Sequence, residues 1–527
     1  MFPRYYAICI LFSTGIFFTI NCANKQPSGE KLAKTYCGSC HLFPDPKFLN
    51  KAAWEKKVLP EMGKKMGLAY YEGVYFLNSE DGSYPKGDSV ESHISYNDWQ
   101  KIVHYYIETA PVQQPPQNRS PVKAVTDRFE VKEGILKDVD PTTVYVKIDP
   151  GNQRIYTCSV FDSVFAVFDP QLNLLQKQNI HRTMVDMWFS SDLRLPGERD
   201  GVLTNIGILY PNDAMNGSID SFRLTAAGKL DAMKMISGEI PRPVQTTVAD
   251  LNGDGKGDYL VCGFGNNKGE LYYLKKTDSS FVKETLIPLP GAVKAYIDDF
   301  NKDGLPDIIV LMAQAQEGIF LFLNKGNGNF EKKELLRFPP IYGSSYFEMD
   351  DINGDGLKDI IYTCGDNLDF TADVLKNYHG VYVFLNKGDY KFEEVYFFPI
   401  HGCYKAISRD FDKDGDMDIM TISYFPDYKN QPEESIVYLE NKGGFNFLPY
   451  TVQEFDSGNW ITMDTGDVDN DGDEDVVIGS MMLISSSWRM KFHSKQKDKP
   501  AFLLLINQTE KKDAASIFDY GKKNKSN

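Results

Sequence analysis

Basic residues are in the minority in this chain of 527 residues, 57 Lys and Arg against 73 Asp and Glu, and before the short lysine-containing tail they form no stripe interleaved with aromatics. That absence excludes nucleic acid as a partner, because phosphates need a dense positive face. Long apolar runs are missing except from about Ala7 to Ile20, which is too short to span a bilayer comfortably. Cysteine and histidine are scarce, eight and seven respectively, so a motif that groups them carries weight. No Ser-His-Asp set or carboxylate pair can be singled out as catalytic, because proximity across distant segments is not legible in one sequence.

What the chain has in quantity is one acidic pattern. It stands at Asp250 to Asp258 (DLNGDGKGD), Asp299 to Asp307 (DFNKDGLPD), Asp351 to Asp359 (DINGDGLKD), Asp410 to Asp418 (DFDKDGDMD) and Asp467 to Asp475 (DVDNDGDED). Oxygen-bearing side chains fall at positions 1, 3, 5 and 9 with Gly at 6, the arrangement a hard Ca²⁺ ion requires. The expected ligands are therefore Asp250, Asn252, Asp254 and Asp258; Asp299, Asn301, Asp303 and Asp307; Asp351, Asn353, Asp355 and Asp359; Asp410, Asp412, Asp414 and Asp418; and Asp467, Asp469, Asp471 and Asp475. Five Ca²⁺ ions would add about +10 to the formal charge of −16, so most of the imbalance is metal-binding charge.

The N-terminal region reads as an export signal over residues 1–21, with Arg4 ahead of the apolar run. It stops at Thr19-Ile20-Asn21-Cys22, which resembles a bacterial lipoprotein signal with Asn21 where a small residue is usual. The resemblance implies that Cys22 is lipidated, that residues 22–27 form a tether, and that the chain is held to a membrane facing the periplasm or cell surface. Cys158, Cys262, Cys364 and Cys403 are spread along the remainder. The first three lie in apolar strand contexts that suit small buried residues, and a disulfide among the four stays open.

Cys37-Gly-Ser-Cys-His41 is the most specific short motif. Composition alone would produce it about 0.002 times in this chain, and an exported protein is where covalent c-type haem is attached. Two thiols three apart reach the two vinyl groups of one haem, and the following imidazole reaches the iron. A zinc site would need a second ligand pair, and a thioredoxin-like Cys-x-x-Cys would need a βαβ setting; neither is present. The surrounding 28–110 stretch resembles a small all-α class I cytochrome c. Helices are expected over Gly29 to Tyr36, from Lys51 to Pro60, and over Tyr96 to Thr109, the last with apolar residues at helical spacing from Trp99 to Ile107. The resemblance implies His41 as one axial ligand and Met62, in a loop, as the other. Met66 is the alternative, and His93 and His104 stand behind both. Residues 111–126, rich in Pro and Gln, read as a semi-rigid linker.

Strand-forming runs flank every acidic loop, which excludes an EF-hand. Four short strands per 50 to 60 residues, repeated, is the pattern of a β-propeller. The unit resembles the FG-GAP or VCBS repeat of integrin alpha-subunit propellers, with Phe264-Gly265 and Gly291-Ala292-Val293 at the name-giving positions. Two upstream units, Val144 to Gln178 and residues 182–237, lack the loop, making seven blades over 127–510; residues 511–527 are a polar tail. The last unit lacks a fourth strand, which Asp127 to Lys132 is expected to supply.

The expected role of the loops is structural, each ion tying the first strand of a blade to the second. Counting back from each loop places Gln245, Lys294, Tyr346, Lys405 and Thr462, with Thr247, Tyr296, Glu348, Ile407 and Asp464, on one face of the innermost strands. With Arg182, Arg242 and His401 near the same strand starts, the channel mouth suits an anionic or hydroxyl-rich ligand, or else is a water-filled polar channel. The expected architecture is a mainly β protein, a seven-bladed propeller with a small helical haem domain. Its expected function is electron transfer, the propeller docking a redox partner or a small or glycan ligand. Two other functions stay open: a glycan- or protein-binding propeller with an auxiliary haem, and a propeller lyase or dehydrogenase passing electrons to the haem.

Overall fold

The computed structural model describes residues 27–71, 74–77, 93–122, 124–193, 197–314, 316–367, 374–482 and 499–509. The signal, Cys22 with the tether to residue 26, and residues 510–527, which include the polar tail, lie outside them.

Seven four-stranded antiparallel sheets form a ring. Blade one spans 143–179, two 184–240, three 243–287, four 292–337, five 344–399 and six 403–450. Blade seven is built from three strands over 460–507 and a fourth taken from Phe129–Gly134, ahead of blade one. The first strand of each blade lies beside the first strand of the next, and that of blade seven returns to blade one.

Burial explains the composition of the strands. Second strands such as Asp307–Met312, Asp359–Cys364, Asp418–Ser423 and Asp475–Ser480 are buried along their whole length. So are third strands such as Gly318–Asn324 and Phe502–Asn507. Both faces of these strands meet a neighbouring blade, so apolar residues run continuously instead of alternating. Outer strands such as Phe281–Ile287 are largely exposed and carry charge. Cys158, Cys262, Cys364 and Cys403 are buried thiols with no disulfide among them, as small core residues.

The N-terminal module starts with the helix Gly29–Tyr36, capped by the Ser28 hydroxyl, which accepts the Lys31 N–H at 3.3 Å. It crosses the helix Tyr96–Thr109, capped by Ser95, with Trp99, Ile102 and Tyr106 buried. Gly29 lies at the crossing: a Cβ there would sit 2.2 Å from the Lys101 carbonyl oxygen, so only glycine permits this approach.

Two features of the module differ from expectation. The middle helix does not stop at Pro60 but continues as Leu59–Lys65 after a wide π turn over Trp54–Val58. Pro60 has no N–H and its ring would clash with the carbonyl four residues back; the widened turn relieves both demands without ending the helix. Met62 therefore lies on a helix, not in a loop, and Met66 caps its end. The module is also not all-helical, since Leu68–Tyr71 pairs antiparallel with Val74–Leu77.

The Pro-rich segment is extended but lies against the propeller. Arg119 donates to Gln431 Oε1 at 2.7 Å and to the fully buried Glu434, and its guanidinium stacks over Phe398 at 5.3 Å. The helical module likewise shares a core with the propeller: Phe48 stands edge-on to Tyr342 and Tyr378, with ring centroids 5.7 and 5.3 Å apart.

Ring closure generates a prediction. Phe129 is buried, edge-on to Phe411 at 5.8 Å and to Tyr438 at 5.6 Å. Phe129→Ala is expected to cost about 3–5 kcal/mol in denaturant unfolding. Glu130→Ala, its exposed neighbour, should stay within about 0.5 kcal/mol of wild type.

Candidate functional sites: the Cys-His turn, the acidic loops and the channel

The Cys-His motif occupies the 3₁₀ turn Cys37–Ser39, which continues the first helix. Cys37 is half-buried against the module core and Cys40 is exposed; both are free thiols. Burial pushes the Cys37 thiol up to about 11. Tyr106 stands beside it, anchored through its hydroxyl to the Pro44 carbonyl at 2.8 Å and packed on Trp54 at 4.4 Å. His41 Nδ1 lies 2.9 Å from the Leu42 carbonyl, which can only accept, so Nδ1 carries the proton and Nε2 keeps its lone pair. Burial lowers the His41 pKa, and the charge of Arg337 from blade four acts in the same direction. Met62 and Met66 are both partly buried on the same core as Cys37. His93 is exposed, and His104 is exposed and faces Glu108 at 3.0 Å.

In the acidic loops, position 1 accepts the N–H of the position-6 glycine in every copy, for example Gly255 to Asp250 at 2.8 Å and Gly472 to Asp467 at 3.0 Å. Position 4 is left-handed throughout: Gly253 and Gly354 adopt it freely, whereas Lys302, Lys413 and Asn470 do so at φ of 58–63°. Carboxylate oxygens of Asp410, Asp412 and Asp414 lie within 4.8 Å of one another, as do those of Asp467, Asp469 and Asp475. In the other three loops Asn252, Asn301 and Asn353 supply amide oxygens at position 3, and each accepts the N–H of position 5.

Position 9 has a second task that its spacing does not reveal. One oxygen of Asp258, Asp307, Asp359 and Asp475 accepts the N–H of loop position 2, at 3.0–3.2 Å. Their other oxygen, and one oxygen of Asp418, accepts an N–H at the end of the third strand, at 2.7–2.8 Å. That strand-end residue is Asn in four blades. Asn324 and Asn507 also donate to Leu251 and Phe411, in the loop of the preceding blade, at 3.0 and 2.8 Å. The loops thus bind three strands and, at these two seams, the neighbouring blade.

The channel-facing positions form a belt. In all seven inner strands the register shifts just before one position, which is Tyr145, Asp186, Gln245, Lys294, Tyr346, Lys405 and Thr462 in turn. From this row and the one two residues on, side chains reach the backbone of the next blade. Asp186 accepts Thr246 N–H at 3.2 Å, Gln245 accepts Ala295 N–H at 2.7 Å, and Tyr296 donates to the Phe347 carbonyl at 3.3 Å. Glu348 accepts Ser408 N–H at 2.7 Å, Lys405 donates to the Met463 carbonyl at 2.6 Å, and Asp464 accepts Ile148 N–H at 2.9 Å. Charges in the belt are also matched: Glu348 faces Arg409 at 3.0 Å and Asp464 faces Lys147 at 3.3 Å. Lys294 and Lys405 lie over the Tyr346 ring at 5.5 and 4.6 Å.

Arg182, Arg242 and His401 have partners of their own. Arg242 is buried and donates to the Gly265 and Leu209 carbonyls at 2.6 and 2.9 Å, holding the Phe264-Gly265 turn. Arg182 faces Asp220 at 3.5 Å, and His401 faces Glu434 at 3.0 Å, inside the cluster that holds Arg119. Lys147 and Asp186 escaped the sequence reading because blades one and two have no acidic loop to count from. The bulge before each position is the signal that indexes them.

The chain carries FG-GAP-like repeats, whose family model matches residues 250–310, 299–362 and 410–478. Among solved structures it is similar to the Dos1 propeller, at 11% identity and a TM-score of 0.41, over 69% of this chain and 77% of that one. It is also similar to the PQQ-bound aldose sugar dehydrogenase of Streptomyces coelicolor, at 12% identity and a TM-score of 0.34, over 72% and 99%. No curated protein matches the chain.

The belt generates a pH prediction. Burial first, then repulsion from Lys294, pulls the Lys405 ammonium down from 10.5 to about 8. Between those values the unfolded chain binds more protons than the folded one, so stability rises with pH. Urea unfolding of wild type relative to Lys405→Met, which lacks the titration, should show a growing wild-type advantage from about pH 8 to 10. A pH-independent difference would contradict this assignment.

Proposed function

We propose that the protein is an exported, lipid-anchored monohaem c-type cytochrome whose propeller docks a redox partner or substrate. The carrying observation is the turn after the first helix, where two free thiols and a histidine with its Nε2 unprotonated stand together. This donor set fits covalent haem: Cys37 and Cys40 would form the thioether bonds and His41 would hold the iron, with the Leu42 carbonyl fixing the imidazole tautomer. Met62, partly buried on the same core as Cys37, would supply the second iron ligand, with Met66 one helical turn on as the alternative. When bound, the haem supplies one-electron transfer, and a thioether ligand raises its reduction potential. Cys22 holds the chain to the membrane, and the haem module, which packs on the propeller, is carried with it.

The acidic loops fit about five Ca²⁺ ions, with carboxylate oxygens of positions 1, 3 and 5 converging in the Asp410 loop and of positions 1, 3 and 9 in the Asp467 loop, and position 9 steering the third strand onto the loop. The ions act on the fold, since in all five loops position 1 holds the position-6 N–H and position 9 holds an N–H at the end of the third strand.

The exported protein should show a reduced-minus-oxidised c-type spectrum and retain haem after denaturation. Cys40→Ala should lose one thioether bond, and Met62→Ala should lower the reduction potential while Met66→Ala leaves it. Absence of covalent haem in protein exported by a cell competent in haem attachment would sink the reading. Separately, chelator should lower the melting temperature reversibly; calcium at about 100 times its Kd returns about 2.7 kcal/mol per site.

A further inference from the structure

The seams between blades are sealed by one device used five times. The second residue of each acidic loop projects between its own blade and the next. Leu251, Ile352, Phe411 and Val468 are buried in cores shared with the following blade, and Phe300 packs against the core of blade five. Blade one has no such loop, yet its seam with blade two is closed otherwise: Arg199 reaches back to Asp149 at 3.0 Å while lying over Phe189 at 5.6 Å. Blade two has no such loop, and although Arg242 reaches back from blade three to the Leu209 carbonyl at 2.9 Å, the seam is not filled along its whole length. At its seam with blade three lies a cavity of about 320 Å³.

The lining of that cavity has a definite chemistry. Trp188 and Tyr259 contribute aromatic surface, Ser190 and Ser221 hydroxyls, and Asp200 and Arg223 an acceptor and a donor 3.4 Å apart. The Trp188 indole N–H and the Tyr259 hydroxyl, both on half-buried rings, hydrogen-bond to no other described residue. Gly201, also in the wall, has no room for a side chain, since a Cβ would lie 2.4 Å from the Trp188 carbonyl oxygen. The volume is at the lower end of small-ligand sites, roughly 300–1,000 Å³. Because the guanidinium is matched by a carboxylate, the described lining carries no net charge to offer an anion. Aromatic faces pack on the C–H face of a sugar ring, and a carboxylate–guanidinium pair serves neighbouring hydroxyls.

We propose that the seam between blades two and three binds a neutral sugar unit. The site uses no proposed haem or calcium ligand, so its failure and theirs are separable by substitution. The full chain would be titrated with glucose, galactose, mannose, maltose and lactose, followed by saturation-transfer NMR and tryptophan fluorescence. At least one sugar should saturate, with Asp200→Asn and Trp188→Ala each weakening it about tenfold or more and Trp188→Phe retaining most of the affinity. Asp200 is half-exposed, so Asp200→Asn should leave the melting temperature unchanged and decides the matter if Trp188→Ala disturbs packing. The proposal is overturned if none of the sugars saturates, if Asp200→Asn binds as wild type does, or if glucuronate or inorganic phosphate binds in their place.

Discussion

A blade of this propeller has no core of its own. Its two central strands are apolar on both faces, and only the adjoining blades can cover them. Coverage is complete only if the ring closes. Pairing of Phe129–Gly134 with Phe502–Asn507 joins segments more than 360 residues apart and leaves blade seven with the same four strands as the others. The close approach this demands is visible at Gly134, where a Cβ would meet the Phe502 ring at 2.3 Å.

Polar groups then divide the work. On the channel side, Asp186, Gln245, Tyr296, Glu348, Lys405 and Asp464 each satisfy a backbone group of the next blade. Further out, the position-9 aspartates hold the third strand to the loop, and Asn324 and Asn507 carry that hold across a seam. Backbone groups buried at seams cannot go unmatched without cost, and these side chains supply the matches. The Pro-rich segment is fastened by the same logic, with Arg119 and His401 meeting at the buried Glu434.

Several readings were legible because they rest on local spacing. The acidic pattern, its strand flanks and the missing last strand defined a closed seven-bladed ring. The observed closing strand begins two residues later than expected. Helix boundaries around Gly29 and Tyr96 were equally legible from caps and periodicity. The resemblance to a cytochrome places Met62 in a loop; the π turn before Pro60 lets the helix run past the proline to Met62 and is invisible to propensity. The hairpin at Leu68–Tyr71 was not anticipated.

What the sequence by itself determined is therefore the repeat and the motif: loops of fixed spacing and a Cys-x-x-Cys-His turn are local in the chain, so their chemistry is written in consecutive residues. Only the tertiary structure decided which channel side chains stitch blades together, and that Arg242, His401 and Arg182 serve other partners. It also decided that a cavity lies at the seam between blades two and three. Those outcomes depend on which blade faces which, and neighbours across a seam lie about 50 to 60 residues apart or more, beyond any local pattern.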